Sequence, residues 1–195
     1  MYFVGFDPGG SQAFGWAVLS GSGKSLVLFA GGVTESAFDA VSSAAAALPE
    51  PPVAIGIDAP LFWASSGDRR ADNYVRRLVC SKGGFSGTVG HVNSLRGACL
   101  VGGAIAAKLS SDRWPAVQIT ESHPKALVRV SPEAAAYAMS PELIGDGHHL
   151  RDAALGAYAA VALFERWPSW RDLALLDATR LSPLGVSVAY WFPES

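Results

Sequence analysis

Cysteine is nearly absent from this chain: Cys80 and Cys99 are the only two in 195 residues. They form no CxxC or CxxH pair, so no cysteine zinc site is expected, and both read as reduced thiols of a cytoplasmic protein. Charge is scarce too, at 16% of residues against 50% hydrophobic ones. That balance argues against disorder. Long apolar runs are also missing. Each is broken by Gly, Pro or Asp before the ~20 residues that a membrane helix needs, so no membrane partner is expected. The N-terminus lacks a basic segment followed by a long apolar one, so no secretory signal is expected. The formal net charge of -2 does not by itself point to a polyanionic partner.

What the chain does have is a series of short apolar segments closed by turns. "YFVGF" and "FGWAVLS" read as strands, and "GSGK" turns the second into a third, "SLVLFAGG". "ESAFDAVSSAAAALPEPP" has helical composition and stops at its prolines. "VAIGIDAP" and "AVQITE" are further buried strands. "GDRRADNYVRRLVC" reads as a helix with a basic face, "SKGGFSGTVGHVNS" as a glycine-rich loop, and "LRGACLVGGAIAAKLS" as a helix carrying several glycines. "HHLRDAALGAYAAVALFERW" is the clearest helix, and "GVSVAYWF" is a late strand or an apolar strap. No repeat or linker interrupts this order. It predicts one α/β domain over residues 1–195: a mixed central sheet, with an antiparallel three-stranded meander first and parallel strands added through helical crossovers, flanked by helices.

Three acids close apolar strands: Asp7, Asp58 and Glu121. In sheets with parallel strands, ligands bind near the carboxyl ends of those strands. Asp152 lies near the start of the long helix, with His149 three residues earlier and therefore on the same face. Gly156, four residues on, would let that helix approach the sheet. Each acid alone has a plainer explanation: a turn start for Asp7 and Asp58, a cap for Glu121, a first-turn acid for Asp152. Their joint placement does not follow from those separate explanations. Carboxylates packed together repel unless a cation or a proton intervenes. Hard oxygen ligands favour Mg²⁺ or Mn²⁺, and such ions can drive phosphodiester cleavage, with His149 moving a proton.

Between residues 68 and 96 the basic residues Arg69, Arg70, Arg76, Arg77, Lys82 and Arg96 outnumber the acids Asp68 and Asp72. Arg69, Arg70, Arg76, Lys82 and Arg96 are therefore candidate ligands for phosphate or nucleic acid. A solvated helix face beside a flexible loop explains the same pattern equally well. "GGFSGTVG" is not a P-loop, and "GFDPGG" leads into a strand rather than a helix, so it is no dinucleotide fingerprint.

Taken together, "GFDPGGSQAFGWAVL", "IGIDAPL", "RRADNYVRR", "ESHP" and "HHLRDAALGAYAA" resemble the ribonuclease H-like superfamily. The first hairpin is similar to that of the RuvC-like Holliday-junction resolvases. The whole set, roughly residues 3–163, is closer to domain of unknown function family 429, described as predicted nucleases. The resemblance implies a ribonuclease H-like fold and a Mg²⁺- or Mn²⁺-dependent nuclease. In it Asp7, Asp58 and Asp152 hold metal, Asp58 standing where the resolvases often use Glu. Glu121 and His149 complete the catalytic set, and nucleic acid is the partner. Two other classes stay open: an actin-like phosphotransferase or nucleotide hydrolase, and a nucleic-acid binder that has kept the fold without catalysis. A homodimer is compatible with all three.

Overall fold

The computed structural model describes residues 1–10, 12–23, 25–65, 67–95, 97–144, 147–182 and 185–194. The apolar segment β1 (Tyr2–Pro8) turns into β2 (Phe14–Ser22) and then β3 (Ser25–Thr34). Helix α1 (Ala37–Ala47) follows, capped by the Ser36 side chain accepting from Asp39 N, and leads to β4 (Ala54–Ile57). After a two-residue β5 (Trp63–Ala64) come α2 (Arg70–Ser81) and α3 (Gly97–Arg113). Then β6 (Gln118–Glu121) runs into α4 (Pro124–Val130) and α5 (Pro132–Ala138), each begun by a proline. The long α6 (Gly147–Glu165) precedes four short strands: β7 (Trp170–Asp172), β8 (Arg180–Leu181), β9 (Val188–Ala189) and β10 (Trp191–Pro193).

The central sheet has six strands in the order β3-β2-β1-β4-β6-β9. The β1–β2 and β2–β3 pairs are antiparallel; β1–β4, β4–β6 and β6–β9 are parallel. The α/β class, the mixed sheet and the initial meander are as the sequence predicts. The apolar tail does both things open to it: β9 joins the sheet, and β10 pairs with β7 as a strap. The glycine-rich segment contains two single 3₁₀ turns, at Ser86–Thr88 and Val92–Ser94.

Alternation along the strands sorts the core into faces. Val4 and Phe6 of β1, with Ile55 and Ile57 of β4, pack with α1 and α3. Phe3 and Ala54 pack on the other face with α6, against Ala153, Ala157 and Val161. Gly5 and Gly56 belong to this second face, each two residues before a strand-end acid. A Cβ on Gly5 would overlap the Ala153 carbonyl, and one on Gly56 the Gly156 carbonyl. The missing side chains on strand and helix therefore let α6 lie backbone to backbone on the sheet. The glycines of α3 act similarly, with Gly103 against Ala59 and Gly102 against Phe14.

Overpacking at such a contact costs about 3 kcal/mol. Gly56→Ala is expected to lower unfolding free energy by that amount in urea denaturation. Gly97→Ala, whose new methyl group would meet open space at the start of α3, should not lower it.

Candidate functional site

Strands β1 and β4 run side by side with Phe6 opposite Ile57, and Asp58 N donates to Phe6 O at 2.9 Å. Asp7 and Asp58 are thereby neighbours at the carboxyl ends of adjacent parallel strands. The first turns of α6 lie over the same edge. Gly15 leaves room for the His149 backbone, and a Cβ on Gly9 would overlap the His149 imidazole. The Pro-Gly-Gly turn after Asp7 thus seats a ring as well as reversing the chain. His149 Nδ1 lies 2.6 Å from Asp7 Oδ2. Asp152, one turn on, accepts from Arg151 Nε and Nη2 at 3.2 and 3.1 Å.

Asp7, Asp58, His149 and Asp152 line one cleft of about 310 Å³, together with His123 and Lys125. Burial raises the Asp7 carboxyl to about 6, and Asp152 adds to the shift while His149 opposes it. Burial, then Asp7 and Asp152, push Asp58 well above the ordinary carboxylate range. The three acids thus sense one another across the cleft. An all-oxygen donor set in which Asp7 and Asp58 resist ionisation fits Mg²⁺ or Mn²⁺.

Glu121 is placed differently. Its register partner is Ile57, not Asp58, and its fully buried carboxylate lies off the cleft lining, in the interior beside the Leu61 backbone. There it meets Arg69, which the sequence pattern offered as a phosphate ligand. Arg69 is 1% exposed. Its Nη2 lies 2.6 Å from Glu121 Oε1 and 2.7 Å from Asp72 Oδ1; Nη1 and Nε donate to Glu121 Oε2 and Asp72 Oδ2. Glu121 Oε2 also accepts from Leu61 N, and Arg69 Nη1 donates to Phe62 O. Although burial works against the guanidinium charge, Glu121 and Asp72 outweigh it and hold Arg69 above its ordinary value. Among the described residues, the one group of three whose ligand atoms all lie within 4.8 Å of one another is Asp72, Glu121 and His123. The guanidinium already supplies the cation there, so this group does not fit a metal. The cleft carboxylates are more widely spaced than that.

The basic face expected on α2 is split in two. Arg69, Asp72, Val75, Arg76 and Val79 form the buried stripe, while Arg70 and Arg77 are exposed. Arg76 donates to Val89 O at 3.0 Å and Gly90 O at 3.1 Å, clamping the segment that carries cleft residues Thr88 and Gly90. Arg69 and Arg76 are therefore corrected from solvent-facing phosphate ligands to internal ties; their side chains are spent on protein oxygens. Lys82 is exposed at the end of α2, and Arg96 lies outside the described residues.

Sequence reasoning missed His123 and Lys125. Both follow Glu121 within four residues, just past a strand end, which is the signal that could have found them. Burial lowers His123 to about 4, so its imidazole is neutral.

Two outcomes are expected. Arg69→Met should destabilise by about 3–5 kcal/mol in urea denaturation, because Glu121 and Asp72 would remain buried without a cation; if instead it unfolds like the parent, the network is not structural. The cleft acids also make stability depend on pH. The folded-state values of Asp7 and Asp58 are raised, so the native chain holds their protons longer than the unfolded one, and stability falls as pH rises from about 4 through about 6. In EDTA, Asp58→Asn should melt a few degrees higher than the parent at pH 7.5 and close to it at pH 4. Equal melting at both values would show that the acids do not repel.

No curated protein and no solved structure matches the chain. Residues 5–167 match the family model described as "Protein of unknown function (DUF429)", a span that contains all the cleft residues named above. The chain belongs to that family.

Proposed function

We propose that the protein is a metal-dependent nuclease of ribonuclease H-like fold, hydrolysing a phosphodiester bond with Mg²⁺ or Mn²⁺ held by Asp7, Asp58 and Asp152. One observation carries this reading: carboxylates from β1, β4 and α6 converge on a single cleft where burial and mutual repulsion raise Asp7 and Asp58. The meander followed by parallel strands supports the fold assignment. When bound, the metal would supply Lewis-acid stabilisation of charge on the phosphoryl oxygens and a more acidic water.

The chain's own residues then have distinct tasks. Asp7, Asp58 and Asp152 would hold the cation at the sheet edge. With Asp7 ionised, His149 Nδ1–H donates to Oδ2, which leaves Nε2 with its lone pair. That nitrogen can take the proton from the attacking water as the new P–O bond forms. The departing oxygen takes a proton from solvent water as the old bond breaks, and the protonated His149 returns its own to solvent. Lys125, on the cleft wall, places positive charge beside the phosphate. Glu121 acts at a distance, by holding the Leu61 backbone just beyond Asp58.

Cleavage of labelled single-stranded, duplex, hybrid and branched nucleic acids, with a nucleoside triphosphate alongside, tests the reading. Mg²⁺- or Mn²⁺-dependent strand cleavage is expected, abolished by Asp7→Asn and lowered about 10²–10⁴-fold by His149→Ala. Hydrolysis of the triphosphate alone would favour a nucleotide hydrolase. Metal-independent binding that persists in Asp7→Asn, without cleavage, would favour a non-catalytic binder.

A further inference from the structure

Phe85 is 76% exposed, the highest value among the large apolar side chains of the described residues. A single exposed apolar residue needs no explanation by itself. Its setting does. The segment around it is tied down at both ends: Arg129 Nη2 donates to Gly83 O, and Arg76 holds Val89 O and Gly90 O. Within it, Gly84 N donates to Val79 O at 2.9 Å and Thr88 N to Phe85 O at 3.0 Å. Gly83 takes φ +71, and Gly87 leaves the space in which the Phe85 ring lies. The ring is thus presented to solvent from a fixed backbone.

Two exposed cations adjoin the glycines that precede it. Lys82 and Arg129 flank the glycine pair before Phe85, with Arg129 Cγ close to Gly84, and Arg77 is exposed on α2. Thr88 lines the cleft that holds Asp7, Asp58 and Asp152. Residues 86–88 form one 3₁₀ turn, and at ~2 Å rise per residue the Phe85 Cα lies about 6 Å from that of Thr88. An exposed aromatic face among cations, one turn from a phosphodiester-sized cleft, matches the chemistry of an unpaired base with its phosphates.

Resting on the nuclease reading of the cleft, we infer that Phe85 is a stacking platform for an unpaired base, so that the substrate is single-stranded nucleic acid or a single-stranded segment of a larger one. A base in a duplex has both faces covered by its neighbours and cannot lie on the ring. Lys82, Arg77 and Arg129 meet the flanking phosphates and make binding salt-dependent. Phe85 binds substrate beside the reacting atoms and takes no part in the chemistry.

Binding of the full chain to a single-stranded oligonucleotide containing 2-aminopurine, in EDTA so that nothing is cleaved, tests this. Quenching of the 2-aminopurine on binding is expected. Phe85→Ala should weaken binding about tenfold and remove the quenching, Phe85→Leu should do nearly the same, and Phe85→Trp should restore both. Binding to blunt duplex of the same length should be weak and indifferent to all three. The inference is overturned if Phe85→Ala binds single strands as the parent does, if Phe85→Leu is indistinguishable from Phe85→Trp, or if duplex is preferred. Stacking with no metal-dependent cleavage would sustain this inference and remove the nuclease reading. Cleavage that ignores Phe85 would do the reverse.

Discussion

The contact on which this structure depends is the backbone-to-backbone approach of α6 to the central sheet. Gly5 and Gly56 on the strands and Gly156 on the helix leave no side chain between them. A helix on a sheet is ordinarily held off by its side chains. Here the separation is set by main-chain atoms, so the helix cannot slide or tilt without backbone overlap. The glycines stand two residues before Asp7 and Asp58. The same contact therefore fixes how far His149 and Asp152 stand from those acids. Packing and chemistry share one dimension.

The fold brings acids together twice and neutralises them in two ways. Around Asp72 and Glu121 it supplies its own cation, Arg69, with two carboxylates and the Phe62 carbonyl taking its donors. Around Asp7, Asp58 and Asp152 it supplies only partial relief, through His149, Arg151 and Lys125. The first cluster is closed and sets the shape of the Asp58–Phe62 turn. The second is open to a cleft and unfavourable when fully ionised. An internal charge pair makes a rigid support, whereas an under-neutralised one makes a place where something positive gains by entering.

Much of this was legible in the chain, for identifiable reasons. The strands β1, β4 and β6 are short apolar runs that end in acids, so existence, type and the positions of Asp7 and Asp58 follow from pattern alone. The α6 face carrying His149, Asp152 and Gly156 follows from helical spacing. What failed was the α2 basic face. Arginines at 69 and 76 and at 70 and 77 lie on two different faces, and composition does not say which one turns inward. That is decided by tertiary partners, Glu121 for Arg69 and the Val89–Gly90 carbonyls for Arg76, which are distant in sequence. Glu121 does close its strand as the pattern says, but its carboxylate is taken up by Arg69, a partner 52 residues away in sequence. His123 and Lys125 share the strand-end position of the other cleft residues, but they stand past Glu121 at the start of α4, where the acids alone do not point.

The Arg69 network also restricts how this protein can change over time. Glu121 and Asp72 are each buried against a charge that neither can lose singly. Replacing the arginine strands two carboxylates, and replacing either carboxylate unbalances the guanidinium. Intermediates on any one-step route to an apolar interior are therefore less stable than both endpoints. A lineage that acquired this trio would be held to it by the valley around it, even if an uncharged core served equally well.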